Sequence, residues 1–333
     1  MAEKFFAYEV REVNPGEYKG SVVKKELASL PFKGVLIRVY YSSLNYKDAL
    51  SASGNKGVTK QYPFTPGVDA AGIVEKSDDA AFQKGARVFV TGFDLGMNTP
   101  GGLGEFISVP SSWVFHLPDN ISFKEVMMYG TAGLTAGLST LRLIEEGVSP
   151  EKGNIVVSGA SGGVGSIAVA LLSFLKYTVS AVTGKEDFKE KLLTVGAKEI
   201  LPRESLNDTT KKPLLAARWS GGIDTVGGNT LSTILKSIKQ YGCVTSCGNA
   251  ASYELNTTVF PFILRGITLA GIDSAECPYD RRKFIWNKLF NEWNVLNKLE
   301  LINNEVTLED AETYLKLILQ GKNMGHIVVK HNI

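Results

Sequence analysis

A chain of 333 residues is too long for one compact core and suits two domains, each able to bury its own apolar centre. Its 44% hydrophobic and 21% charged residues are those of an ordinary globular protein, and a net charge of +2 offers no broad basic field for nucleic acid or an anionic membrane. No stretch approaches the roughly 20 apolar residues that span a bilayer. The opening residues Met1 to Phe6 lack a charged-then-apolar leader, which points to the cytoplasm. Cys243, Cys247 and Cys277 are too few for a disulfide framework, and the first two read as buried thiols in an apolar run.

Up to about residue 122, β-branched segments such as 34–41 alternate with Gly and Pro turns, which predicts a β-rich domain. From Ser122 onward, helix-like stretches alternate with apolar strands at 154–158, 177–183, 199–201, 223–226, 243–246 and 267–271. Strands buried on both faces and separated by helices predict a parallel, doubly wound sheet. The chain closes with a helix near 308–320 and a strand at 326–330.

The turn Gly159-Ala160-Ser161-Gly162-Gly163-Val164-Gly165 follows a strand and opens an apolar helix. In that context its glycines serve a tight turn and close backbone approach, and the helix amides form an anion site for a dinucleotide pyrophosphate. Ser161, Gly162, Gly163 and Val164 are the candidate contacts; a flexible loop or a helix packed closely on the sheet is the other reading. An NAD site places an acid at the tip of the next strand to hold the ribose hydroxyls. Here that tip is Thr183-Gly184-Lys185, a hydroxyl, a glycine and a cation, so a 2′-phosphate and hence NADPH is expected. Glu186 follows directly and weakens that expectation unless it complements the next helix's dipole. Arg203 is either a second cation, a partner for adenine or a solvated loop arginine.

Several segments together resemble the medium-chain dehydrogenase/reductase superfamily, in its quinone oxidoreductase-like branch: Tyr62 to Val74, with Pro66-Gly67-Val68-Asp69 at its centre, and Gly130 to Ala136. The run Tyr41 to Leu50 is similar to the YhdH/YhfP-type members, a group that includes acrylyl-CoA reductases. The resemblance implies an α/β fold: a GroES-like β-rich catalytic domain from residues 1–122 and 278–333, and an inserted Rossmann-type NADPH domain at 123–277. It also implies a cleft active site and homodimers paired through Rossmann sheet edges, with 243–246 and 267–272 as candidate edges.

Zinc members of the superfamily carry a Cys where this chain has Asn45 and a Gly-His-Glu where it has Gly67-Val68-Asp69, so no metal is expected. What remains is reduction of an activated double bond, for which the protein supplies orientation, donors for a developing oxyanion and a proton. The resemblance places Asn45, Tyr46 and Asp69 at the catalytic centre. Tyr46 is an acid, a steric gate or a packed aromatic; Asp69 is a brace or a turn aspartate; Asp48 caps a helix. By the same resemblance Thr131, Gly248, Asn249, Ile272, Ser274 and Asn323 touch the cofactor, with His326 standing where an arginine is expected. Arg281 and Arg282, beside Lys283, are candidates for a CoA handle, against the alternative of a solvated helix face. A small acyl-CoA such as acrylyl-CoA is the first expected substrate, a quinone the second, and a non-catalytic NADPH sensor a more distant third.

Overall fold

A computed structural model describes residues 3–332; the first two residues of the opening segment Met1 to Phe6, and residue 333, lie outside the described residues. The chain divides into two compact units, Met1–Thr131 with Asn303–Ile333, and Ala132–Ile302.

In chain order the elements are β1 (Lys4–Asn14), β2 (Glu17–Glu26), β3 (Val35–Leu44), α1 (Tyr46–Ala52), β4 (Asp69–Ser77), β5 (Arg87–Thr91), β6 (Phe106–Val109), β7 (Phe115–His116) and α2 (Phe123–Glu145). Then come β8 (Ile155–Val157), α3 (Gly163–Phe174), β9 (Val179–Val182), α4 (Lys189–Val195), β10 (Glu199–Leu201), β11 (Trp219–Asp224), α5 (Gly228–Ser237), β12 (Ile238–Ser246), α6 (Phe260–Arg265), β13 (Thr268–Gly271), α7 (Tyr279–Phe290) and α8 (Leu296–Leu299). Last are β14 (Asn303–Thr307), α9 (Ala311–Leu319) and β15 (His326–Lys330). No described helix is long and apolar enough to cross a membrane.

The first unit is the expected β-rich domain. Its main sheet runs β14-β15-β3-β4-β5-β7, with β6 also on β3, and β1 and β2 form a separate hairpin. Alternation along β3 buries Val35, Ile37 and Val39 on one face, where they meet Ala70, Val74, Val88 and Ile107. The chain's last strand returns antiparallel to β3, pairing Ile327 with Leu44 and Val329 with Ser42. That return sets His326 beside the segment carrying Asn45.

The second unit is a six-stranded parallel sheet in the order β10-β9-β8-β11-β12-β13. Counted within the unit this is 3-2-1-4-5-6, the doubly wound order of dinucleotide-binding domains, with the reversal between β8 and β11. Helix α3 is buried from Gly165 to Leu172, so its apolar run reads as a core helix. Strand β11 begins four residues earlier than its sequence suggests, because Trp219-Ser220-Gly221-Gly222 has the texture of a turn. The glycines are there for packing: a Cβ on Gly221 would stand 2.9 Å from Cys243 O, and one on Gly222 3.0 Å from Val156 Cγ1. All three cysteines are free, and burial pushes the Cys243 and Cys247 thiols up to about 12.

The unit boundaries differ from the expected ones at 122/123 and 277/278. Helix α2 starts at the first of these, and the division falls inside it, after Thr131, one residue past the break at Gly130 (φ 52°). Residues 278–302 belong to the second unit, because Ile285 of α7 packs under Gly137 of α2, where a Cβ would come within 2.7 Å, and Arg281 pairs with Glu145 at 2.8 Å.

Candidate functional site

Gly159 opens the phosphate turn in the left-handed region (φ +57°), and a Cβ on it would meet Thr225 Oγ1 at 2.3 Å. Gly165 lets α3 lie against the turn, since a Cβ there would stand 2.3 Å from Gly159 O. Gly162 is the N-cap of this twelve-residue helix, with nothing nearer to its missing Cβ than Gly159 O at 3.4 Å, so the backbone is open to a ligand. Three residues that the sequence reading did not single out bolt this turn across the strand-order reversal. Ser158 Oγ donates to Asp224 Oδ1 at 2.6 Å and accepts from Thr225 N at 3.0 Å, while Asp224 Oδ2 accepts from Gly227 N at 2.8 Å. Burial holds the Asp224 carboxyl above its usual range. The legible signal was an aspartate ending an apolar strand just before Gly227-Gly228.

At the tip of β9, Thr183 Oγ1 donates to Ser161 Oγ at 2.8 Å and accepts from Lys185 N at 3.1 Å, tying the strand tip to the phosphate turn. Burial brings the Lys185 ammonium down to about 8, and the nearby Arg203 guanidinium adds repulsion. Arg203 lies over Gly184, where a Cβ would approach its Nε to 2.7 Å. Glu186 pairs with Lys189 Nζ at 2.6 Å. Two cations side by side form a place that a dianion relieves.

Across the reversal, the ends of β12 and β13 border an open cavity of about 650 Å³ lined by Ser246, Cys247, Gly248, Asn249, Ile272 and Asp273, among others. Gly248, Asn249 and Ile272 thus fall together as expected, and Ser274 lies two residues on, its Oγ accepting from Thr135 Oγ1 at 2.8 Å.

In the first unit, Asp69 is fully buried and collects four donors: Ser43 Oγ at 2.6 Å, Asn45 Nδ2 at 2.7 Å and Thr131 N at 2.9 Å on Oδ2, and Thr131 Oγ1 at 2.6 Å on Oδ1. It joins Asn45 and Thr131 as a brace. Burial raises its carboxyl above the ordinary range despite these donors. Asp48, also buried, accepts from Asn45 N at 2.7 Å at the start of α1, and from Val68 N at 2.9 Å and Gly67 N at 3.1 Å. It therefore caps the helix and holds the loop before Asp69 in place. Burial, with the Asp69 charge adding to it, pushes Asp48 up to about 7.

Gly130 closes this network in the left-handed region: a Cβ there would lie 2.6 Å from Asp69 Oδ2 and from Ser43 Oγ, and 3.2 Å from His326 Nε2. His326 is buried, sits 3.2 Å from Met127 O and is brought down to about 4 by burial, so it is a neutral interior residue at pH 7. Tyr46 is 39% exposed at the first position of α1. Asn323 is half-buried, with Nδ2 donating to Gly325 O at 3.3 Å.

The basic cluster is not what its sequence suggests. Arg282 is fully buried, and its Nη2 donates to Ser274 O at 2.9 Å and Ala275 O at 2.8 Å. Arg282 is therefore not a cation for a substrate's phosphates, because a guanidinium turned into the core cannot meet a solvated phosphate. Arg281 Nη2 is engaged by Glu145 at 2.8 Å.

Among the described residues, no group of three or more His, Cys, Asp or Glu side chains is placed to hold a metal. The positions that zinc members use carry an amide and a carboxylate already bonded to each other, so the donor set does not fit that ion.

Residues 32–119 match the family described as alcohol dehydrogenase GroES-like domain, and residues 163–289 the one described as zinc-binding dehydrogenase. The chain is 44% identical to YhfP of Bacillus subtilis, provisionally named a quinone oxidoreductase, over 90% of this chain and 91% of that one. The crystal structure of that protein with NAD bound superimposes with a TM-score of 0.94, covering 99% of this chain and 100% of the other. The acrylyl-CoA reductase AcuI of Ruegeria pomeroyi is 37% identical over 97% of both chains. The yhdH oxidoreductase of Salmonella enterica in complex with NADP superimposes with a TM-score of 0.93 at 40% identity, covering 98% of this chain and 99% of that one. With its GroES-like and Rossmann-type units, this chain is an oxidoreductase belonging to the medium-chain dehydrogenase/reductase superfamily, in the branch of YhfP and AcuI.

Proposed function

We propose that the protein is a zinc-independent, NADPH-dependent reductase of activated double bonds, and that its substrate is a small α,β-unsaturated acyl-CoA of the acrylyl-CoA kind. The observation that carries the cofactor half is the Lys185–Arg203 pair over Gly184, two cations at a strand tip that offers no acid. The NADP-bound yhdH structure supports it, and the NAD-bound yhfP structure makes it worth testing. When bound, NADPH supplies the hydride.

The residues of this chain do the rest. Lys185, Arg203 and Thr183 hold the 2′-phosphate, and Ser161, Gly162, Gly163 and Val164 present the turn to the pyrophosphate. Gly248, Asn249, Ile272 and Ser274 border the nicotinamide end, and Thr131 and Asn323 complete the cofactor contacts. Asp69 orients Asn45, whose amide positions the substrate. Tyr46, at the exposed start of α1, holds the proton for the α-carbon at its hydroxyl.

The acyl-CoA choice is supported by the name and near-complete coverage of AcuI. A quinone is the second reading, favoured by the name of YhfP and by the internal engagement of Arg281 and Arg282. NADPH oxidation with acrylyl-CoA, a simple quinone and no acceptor separates the two. Higher catalytic efficiency with the quinone sinks the acyl-CoA assignment, and tight NADPH binding without turnover of either would leave a sensor.

The protein acts as a homodimer in the cytoplasm. Dimerisation is supported by Tyr241 in β12 and by Val259, Ile263 and Leu264 at α6, between β12 and β13, all more than half exposed near the β13 edge of the parallel sheet. Three unpaired thiols suit a reducing compartment. A monomeric mass in solution would remove the dimer.

A further inference from the structure

Helix α7 begins after Pro278 and carries Arg282 in its first turn, where the helix dipole is positive and a cation is least welcome. The side chain is nonetheless fully buried, and a guanidinium taken out of water is costly unless its donors are met. Two of its hydrogen bonds go to one loop, to Ser274 O at 2.9 Å and Ala275 O at 2.8 Å. A methionine would fill the same space without the desolvation cost; what the guanidinium adds is a planar grip on two consecutive carbonyls.

The gripped loop leaves β13 directly after Gly271, and Gly271 with the loop's first residues, Ile272 and Asp273, lines the cavity. Upstream it is held by Ile272 N donating to Ser246 O at 3.0 Å. In its middle Thr135 Oγ1 donates to Ser274 Oγ at 2.8 Å, and Asp273 Oδ1 accepts from Ala275 N at 2.9 Å and Glu276 N at 3.1 Å, curling the backbone into an Asx turn. Arg282 holds the downstream end. The strand order says which end of a dinucleotide this loop faces. The two cations lie at the tip of β9, on one side of the reversal, and the cavity lies at β12 and β13, on the other; each half of such a sheet takes one mononucleotide.

We propose that Arg282 is a positioning residue for the nicotinamide half of the cofactor, holding the backbone of 272–275 in the shape that lines the cavity without touching the ligand. This rests on the proposed NADPH reading. It differs from a general stabilising role in one respect: only one half of the cofactor feels it.

The test is Arg282→Met, with binding of NADPH and of adenosine 2′,5′-bisphosphate measured by calorimetry, and amide hydrogen exchange of 272–277 measured without ligand. The Kd for NADPH is expected to rise about tenfold while that for the bisphosphate stays within about twofold, and the loop amides exchange faster. Wild-type protein that binds neither ligand sinks the NADPH reading, while the exchange comparison still judges the loop. Equal losses for both ligands, unchanged NADPH affinity in a folded variant, or unchanged exchange overturns the proposal. Should Arg282→Met fail to fold, Arg282→Lys keeps the buried cation but not the planar grip. The same split, about threefold, is then expected, and its absence counts equally against the proposal.

Discussion

Asp69 in the first unit and Lys185 in the second are both ionisable groups drawn out of water, and their surroundings treat them in opposite ways. Asp69 has a hydroxyl, an amide and both donors of Thr131 around it, so its own chain completes it. Lys185 has the Arg203 guanidinium near it, a second cation that adds repulsion to the cost of its burial. A completed polar group rigidifies; a pair of opposed cations is relieved by an anion. The first arrangement is a brace and the second a receptor, and the difference can be measured.

The largest expected effect is on the brace. Asp69→Ala leaves one buried and three part-buried donors without their acceptor and should cost roughly 3 kcal/mol or more of stability, read by urea denaturation. A loss below about 1 kcal/mol would mean that the donors find other partners, and that Asp69 does not organise this site.

Next comes the receptor. Lys185→Ala should weaken NADPH by roughly thirtyfold, about 2 kcal/mol, and NADH by less than about twofold. Equal losses would show that Lys185 does not hold the 2′-phosphate, and would bring this chain nearer to the NAD-bound yhfP structure.

The smallest effect is on pH dependence. Below about 8 the Lys185 ammonium is charged; above it, the free protein must take up a proton to present that charge to a dianion. NADPH affinity should therefore fall above pH 8, by up to about tenfold per unit, and should be flat over the same range in Lys185→Ala. A wild-type profile as flat as the variant's would leave the comparison without its electrostatic half.

Much of the fold was legible because it rests on local pattern. The glycine turn, the apolar strands around it and the strand tip at Thr183-Gly184-Lys185 each reveal themselves within a few residues. The start of β11 was not legible, since Gly221 and Gly222 are demanded by Cys243 and Val156, neighbours that only the sheet supplies. The Ser158–Asp224 bolt was missed for the same reason, joining residues 66 apart in the chain. Arg281 and Arg282 read alike in sequence, yet one pairs with Glu145 at the surface and the other turns inward to a loop.

What the sequence determined by itself was therefore the class of chemistry: a dinucleotide turn, a cation where an acid would serve NAD, and an amide and a carboxylate where zinc ligands stand in relatives. Only the tertiary structure decided which charged groups face a ligand and which are consumed internally. The periodicity of a helix says which residues share a face, but the partner on that face comes from a distant part of the chain, and it is the partner that meets or opposes a charge.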